Sequence, residues 1–309
     1  MTRFHIGQSM RGWERFWFEG VPPHVYSFLR IALGSVALVT LLGLNDITTF
    51  WDAGGLVPSE GASSIKQWVS SHALGAPAGL ALYVGCLTSL VLMTVGFQCS
   101  LTVPLALVSL LAQLSWNYLP LSGAHAAIQV LLFCLVWADC GAVWSLDSWL
   151  ARRARHEKPT PLASIAPLRL FRYQVALIYF ASGLWKLYNP LWRDGSAVHY
   201  VLNNNVYHRF PDLLSPGLEG LATVATYTTV LWELGFGIAL LYRPTRRLAL
   251  AAGVVIHLSM LILMEIGPFH FVMLAAYPAF LDPASFPNWS RRVRPANPDH
   301  DRVSSISTM

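Results

Sequence analysis

Eight apolar runs separated by polar breaks fill the chain between residues 25 and 282, and they decide its solvent before any motif is considered. They fall at roughly 25–45, 76–96, 100–118, 124–144, 168–188, 221–242, 247–265 and 268–282. A bilayer crossing takes about 20 mostly apolar residues. Inside hydrocarbon each backbone N–H and C=O must be satisfied by the chain itself, which leaves helices or a closed barrel. Period-2 alternation of apolar and polar residues, the mark of a transmembrane barrel, is absent from these runs. The expected fold is therefore all-α, a polytopic membrane helix bundle of about eight spans. The eighth run is short, so a tilted or re-entrant segment is the alternative there. Composition agrees: only 12% of residues are charged, about half the share of a soluble domain. Both a soluble enzyme and a disordered chain are excluded on that ground.

Charge placement sets the orientation. With the N-terminus in the cytoplasm and eight alternating spans, 17 of the 21 Lys and Arg residues fall on the inner side. They include Arg3, Arg11 and Arg15, the run Arg152, Arg153, Arg155 and Lys158, the cluster Arg243, Arg246 and Arg247, and Arg291, Arg292, Arg294 and Arg302. Arg30, Arg169 and Arg172 sit at inner span ends, whereas the outer loops hold only Lys66, Arg193 and Arg209. The positive-inside rule then places both termini in the cytoplasm. These basic residues punctuate apolar runs and build no continuous face, so no nucleic-acid partner is expected. The expected organisation is a cytoplasmic segment over 1–24, a membrane domain over 25–282 and a basic, disordered tail over 283–309. No cleavable signal pattern precedes the first span, which is expected to start export itself. An Ala- and Arg-rich chain without an organelle-targeting pattern points to a bacterial inner membrane. Cys86, Cys99, Cys134 and Cys140 lie in or beside apolar runs with no C-x-x-C pair, so neither a disulfide framework nor a metal site is expected.

Ionisable groups within spans are expensive and so mark function by default. Here they are His125, Asp139, Lys186, Glu233, His257, Glu265 and His270, with Asn117 and Gln129 as neutral company. The topology puts Asn117, His125, Lys186, Glu265 and His270 at one outer level. His257 and Glu233 sit near mid-membrane, and Asp139 lies in an inner vestibule with Arg152 or Arg155 as partner. Each has a plainer reading: Lys186 can snorkel to the interface, His125 can cap a helix, and His257 can be a hydrogen-bonded core histidine. His199 and His208 lie in a polar loop and need no special role. A desolvated lysine favours its neutral form and becomes a usable base. Lys186 paired with His125 thus suits deprotonation of a weakly acidic, lipid-soluble substrate. The long outer loops over 46–75 and 189–220, rich in Trp, Gly, Pro and Asn, are candidates for ordered functional segments.

The run IYFASGLWKLYNPLWRDGSAVHYVL, residues 178–202, resembles the signature of the vitamin K-dependent gamma-carboxylase and its bacterial relatives, the HTTM (horizontally transferred transmembrane) domain proteins. Tyr179, Phe180, Gly183, Lys186, Leu187, Trp192, Gly195, Tyr200 and Leu202 carry the match. FWDAGGLVP (50–58), SWN (115–117), His125, WSLD (144–147), WELGFGIALLYRPTRRLAL and His257 follow in order, so that the resemblance covers nearly all of 25–282. It implies that Lys186 is the base that starts oxygenation of a reduced quinone, assisted by His125. It implies further that Asn117, Tyr179, Trp192, His257, Glu265 and His270 line a substrate pocket opening near the outer face.

Trp185–Lys186 stands where the carboxylase has two lysines, and the resemblance stops at the membrane part. The expected chemistry is accordingly epoxidation of a hydroquinone or similar phenol by O2, with peptide carboxylation left aside. No tightly bound cofactor is expected, since reduced quinone and O2 are themselves the substrates. Membrane lipid is the expected surrounding partner. Two alternatives belong to other classes. One is a non-enzymatic membrane factor for maturation or export of a small secreted peptide, as in the family members that mature a sporulation-delaying toxin. The other is a quinone- or haem-linked electron carrier using His257.

Overall fold

The computed structural model describes residues 12–14, 16–52, 66–68, 75–117, 122–154, 161–207, 209–210 and 219–286. Outside them lie His208, Arg3, Arg11, Arg15, Arg155, Lys158, the FWDAGGLVP stretch from residue 53 on, and the tail from residue 287 on.

The long apolar runs form helices, because a helix alone closes the backbone hydrogen bonds of a single segment in lipid. They are α1 (His24–Leu42), α3 (Gly75–Val95), α4 (Cys99–Trp116), α5 (Gly123–Val136), α7 (Ala166–Tyr188), α10 (Glu219–Leu241) and α11 (Arg243–Leu263). Shorter pieces join them: α2 (Ile47–Phe50), α6 (Leu146–Arg153), α8 (Pro190–Arg193), α9 (Ala197–Asn203) and α12 (Phe269–Ala276), which runs on as a 3-10 turn over Tyr277–Phe280. Five helices (α1, α3 from Pro77, α4, α10 and α11) are long and apolar enough to cross a membrane. α7 has the length, at 23 residues, but carries Arg169, Arg172 and Lys186. α5 and the α12 segment are shorter apolar helices.

Contacts sort the helix termini into two ends. One end gathers the start of α1, the α3–α4 turn, the region after α5, the start of α7 and the α10–α11 corner. There Arg30 reaches the carbonyls of Cys140 and Trp144, and Arg172 those of Ala279 and Leu281. The other end gathers the α1–α3 connection, the start of α5, α8, α9 and the α11–α12 turn, through bonds such as Trp116 Nε1 to the Trp51 carbonyl, 2.8 Å, and Glu265 N to the Tyr207 carbonyl, 2.8 Å. The first end carries Arg152, Arg153, Arg169, Arg172, Arg243, Arg246 and Arg247, the side that the charge bias assigns to the cytoplasm. Outward-facing aliphatics such as Val84, Val108, Leu231, Leu248 and Val255 are exposed, as lipid-facing side chains are.

Two details depart from the sequence reading, at 137–144 and in a short strand pair, and a third, at 268–282, falls on the short alternative already open there. The run expected to span 124–144 stops being helical at Val136, and residues 137–144 fold back over α1, where Ser27 and Arg30 donate to their carbonyls. The segment over 268–282 is not a full-length helix. It is a short, mostly buried core element packed on α1, α5 and α11, because Pro268 and Pro278 bound it. A two-residue antiparallel pair also occurs, β1 (Gly20–Val21) with β2 (Ala163–Ser164), and pins the entry to α1 beside the entry to α7. Tyr26 Oη closes that corner, donating to the Ser164 carbonyl at 2.5 Å.

The turn into α4 shows why glycine is needed at one position. Gly96 has φ +79°, the left-handed region that a side chain resists. A Cβ there would also run into the Arg30 guanidinium.

Candidate functional site

The site grows from the packing of α7 on α10, the most extensive helix pair of the bundle. Small residues let the two backbones approach. A Cβ on Gly183 would meet the Leu234 backbone N at 3.0 Å, and one on Gly237 would meet the Ala176 carbonyl O at 2.8 Å. Small-residue seams of this kind take the place of the hydrophobic effect in lipid, where apolar burial no longer drives association.

That approach brings Lys186, in the last turn of α7, against Glu233 of α10. Lys186 Nζ lies 2.6 Å from Glu233 Oε2 and 2.8 Å from Oε1. It also donates to Ser182 Oγ at 2.9 Å, and the Trp192 ring centroid stands 4.9 Å away. The two charged side chains are only 17% and 15% exposed. The carbonyl end of the α7 dipole and the Trp192 π face both favour the cation here. Asn189 ends α7 and caps α8 by accepting from Leu191 N at 3.0 Å, which sets where Trp192 stands.

Two turns back along α7, Tyr179 opens a second cluster. Its hydroxyl lies 2.5 Å from His257 Nε2 on α11 and 2.8 Å from Tyr277 Oη. Phe236 packs edge-on to the Tyr179 ring at 4.4 Å. His270 of α12 lies beside His257, ring centroids 5.8 Å apart. Both imidazoles are buried, and His257 Nδ1 and both His270 nitrogens lack a hydrogen-bond partner among the described residues. Buried polar atoms of this kind call for an explanation, and polar groups of a small molecule are one.

The residues expected at one outer level thus separate into distinct sets. Of the five, Lys186 stands with Glu233 and Trp192, and His270 stands beside His257, a residue expected deeper, which in turn meets Tyr179. The expected Lys186–His125 pair is replaced by Lys186–Glu233. His125 is the third residue of α5 and closes a capping box: its Nδ1 accepts from Ser122 N at 3.1 Å while Ser122 Oγ accepts from Ala124 N. With Nδ1 accepting, a neutral ring carries its hydrogen on Nε2, which is buried and has no partner among the described residues. Asn117 donates to the Phe50 carbonyl at 3.1 Å and so anchors the α1–α3 connection. Glu265 faces Arg209 at 4.0 Å on the surface, away from the buried clusters. Asp139 is exposed and lines an open recess of about 630 Å3 with Asp147; among the described residues it makes no ion pair with Arg152.

Sequence reasoning placed Glu233 among the costly ionisable groups but not beside Lys186. Its signal was present, since Glu233 is a carboxylate far inside an apolar run and a buried lysine needs one. Tyr277 left no signal, being one aromatic among many. Among the described residues no three metal-ligating side chains converge.

These features define an integral-membrane helix bundle built around a buried ion pair and an adjoining tyrosine–histidine network. The chain belongs to the HTTM domain family, whose profile matches residues 18–286. It is similar to the sporulation-delaying protein SdpB of Bacillus subtilis (strain 168), 26% identical over 178 residues, which are 53% of this chain and 53% of that protein. The aligned part is thus about half the length of that curated relative. No solved structure matches.

Proposed function

We propose that this HTTM-domain membrane protein is a bacterial inner-membrane oxygenase that adds O2 to a lipid-soluble hydroquinone or phenol, with Lys186 and Glu233 as its acid–base unit. The observation that carries the reading is the ammonium–carboxylate pair at 2.6 Å inside an otherwise apolar helix seam. A pair kept for stability alone is a poor investment there, since apolar residues of similar volume commonly serve as well. One proton serves both groups: when Glu233 holds it, Lys186 is a free amine. The amine then takes a proton from the substrate hydroxyl. The electron-rich ring carbon bonds to O2, the O–O bond breaks, and hydroquinone plus O2 becomes quinone epoxide plus water. Reduced quinone and O2 are the reactants, and no further redox group is needed for the balance. Unpartnered nitrogens on His257 and His270, with the Tyr179 hydroxyl, supply polar contacts for the ring oxygens. His125 acts on this chemistry only through the cap that orders the start of α5.

The test is a paired assay of wild type and Lys186→Met in detergent with a reduced naphthoquinone and O2, following the epoxide by mass spectrometry. Epoxide from wild type alone is the expected result. Turnover by Lys186→Met at the wild-type rate overturns the assignment.

A second reading has its own observation, the similarity to a sporulation-delaying protein over 178 residues. In it the protein is a membrane factor for a small secreted peptide, and the connections around α2 and α8–α9 contact that peptide. This reading requires cellular function to survive Lys186→Met and to fail when those connections are replaced.

A further inference from the structure

The basic end of the bundle holds a cavity that the ion pair and the tyrosine–histidine network do not use. It encloses about 650 Å3 between the start of α7, the α10–α11 corner and the segment after the 3-10 turn. Arg172, Arg243, Arg246 and Arg247 line it together with two carboxylates, Glu19 and Asp282, which leaves an excess of two positive charges. Among the described residues none of these arginines forms an ion pair with either carboxylate. Four guanidiniums sharing one cavity repel one another, and a bound anion removes that cost.

Two of the four are held in place. Arg172 donates through Nε to the Ala279 carbonyl at 2.6 Å and through Nη2 to the Leu281 carbonyl at 3.1 Å. Arg246 donates to the Leu240 carbonyl at 2.8 Å and the Leu241 carbonyl at 3.1 Å. Each guanidinium has five N–H donors in a rigid fork, so these bonds orient it and leave three donors on a residue lining the cavity. Such a fork fits phosphate oxygens well.

The cavity also continues. A groove of about 310 Å3 shares Leu250 and Leu281 with it and runs on past Ala251, Val254, Leu274 and Pro278. These residues lie along α11 and α12, so the groove leads from the charged end toward the apolar middle of the bundle. A site with arginines at its mouth and hydrocarbon along its length has the two-part chemistry of an amphiphile.

We infer that this cavity and groove bind one anionic phospholipid, its phosphate headgroup among Arg172, Arg243, Arg246 and Arg247 and an acyl chain along α11. A free phosphate would use the arginines and leave the groove idle, so the continuity of the two favours the lipid. An anionic lipid here ties α7, α11 and the 3-10 turn together at the basic end.

The experiment is native mass spectrometry of the full chain in detergent, titrated separately with phosphatidylglycerol, phosphatidylcholine and inorganic phosphate. Two variants accompany it. Arg243→Gln/Arg247→Gln changes exposed residues at the mouth, and Ala251→Trp fills the groove at an exposed position. Thermal unfolding matching wild type certifies their fold. Juxtamembrane arginines contribute roughly a factor of five each to anionic-lipid affinity, so the double variant should bind phosphatidylglycerol about 30-fold more weakly. Ala251→Trp should also lose phosphatidylglycerol, although every arginine remains. Equal affinity for the two lipids overturns the inference. So does inorganic phosphate binding that the double variant weakens while Ala251→Trp leaves phosphatidylglycerol affinity intact, since that pattern describes an anion site without a lipid.

Discussion

Removing the charge of Glu233 alone leaves the Lys186 ammonium in a seam where it is one-sixth exposed, with Ser182 and Trp192 as its remaining company. Breaking a fully buried pair from one side costs about 3–5 kcal/mol, whereas an exposed pair is worth less than about 1 kcal/mol. The residual exposure, the Ser182 hydroxyl and the Trp192 ring place Glu233→Gln between these limits, at about 2–3 kcal/mol. Lys186→Met leaves a carboxylate with no cation and should cost a similar amount. The double variant leaves no orphan charge, so its cost should fall to about 1 kcal/mol. The cycle then yields a coupling of about 3–5 kcal/mol, roughly two to three and a half powers of ten in the unfolding equilibrium. The assay is denaturant unfolding in mixed micelles, followed by tryptophan fluorescence, on wild type and all three variants. A coupling below about 0.5 kcal/mol would mean that solvent screens the pair as it screens a surface one, and the acid–base argument built on its desolvation would fall.

Three further outcomes are expected. Tyr179→Phe removes the hydroxyl that His257 and Tyr277 share, and should cost about 1–3 kcal/mol, measured by the same unfolding assay, because the partners are left buried and unsatisfied. Gly237→Ala sets a Cβ against the Ala176 carbonyl and should lower stability by about 1–3 kcal/mol, whereas Gly235→Ala, where nothing lies within 4 Å, should stay within about 0.5 kcal/mol of wild type. Asp194→Asn should speed hydrogen exchange at the Ser196 amide, since Asp194 Oδ1 accepts from Ser196 N at 2.9 Å and from Ser196 Oγ at 2.6 Å. These bonds hold the Asp194 carboxyl below its ordinary 3.8, so the ordering they give is present above that value and lost as pH falls through the lower folded pKa.

The membrane bundle was legible because lipid imposes one rule on every segment, and twenty apolar residues in a row obey it visibly. The two-ended distribution of arginines was legible for a similar reason, since each charge reports its own side. Pairing across the bundle was not. Glu233 lies 47 residues from Lys186, and no local periodicity says that α7 will lie on α10; that choice rests on Gly183 and Gly237 meeting bulkier partners across the seam. His125 shows the reverse case. Its spacing from Ser122 is that of a cap, a purely local device, and the cap is what forms, while the long-range pairing with Lys186 does not. The shortening of α5 also escaped the sequence, because residues 137–144 carry only one charge, Asp139, and their carbonyls leave the helix to meet Arg30, a partner more than 100 residues away.

Arg30 has a consequence for biogenesis. It is completely buried, in the first span, and its two terminal nitrogens donate to the carbonyls of Cys140 and Trp144, while its Nε has no partner among the described residues. The first of these partners lies 110 residues downstream. At a synthesis rate of roughly 5–20 residues per second, the ribosome makes them some five to twenty seconds after α1 has emerged. During that interval Arg30, near the inner end of α1, has neither carbonyl, and water or headgroup phosphates must meet its charge. That end of α1 can therefore be buried only after the α5–α6 connection has been made, although α1 is the first span of the chain.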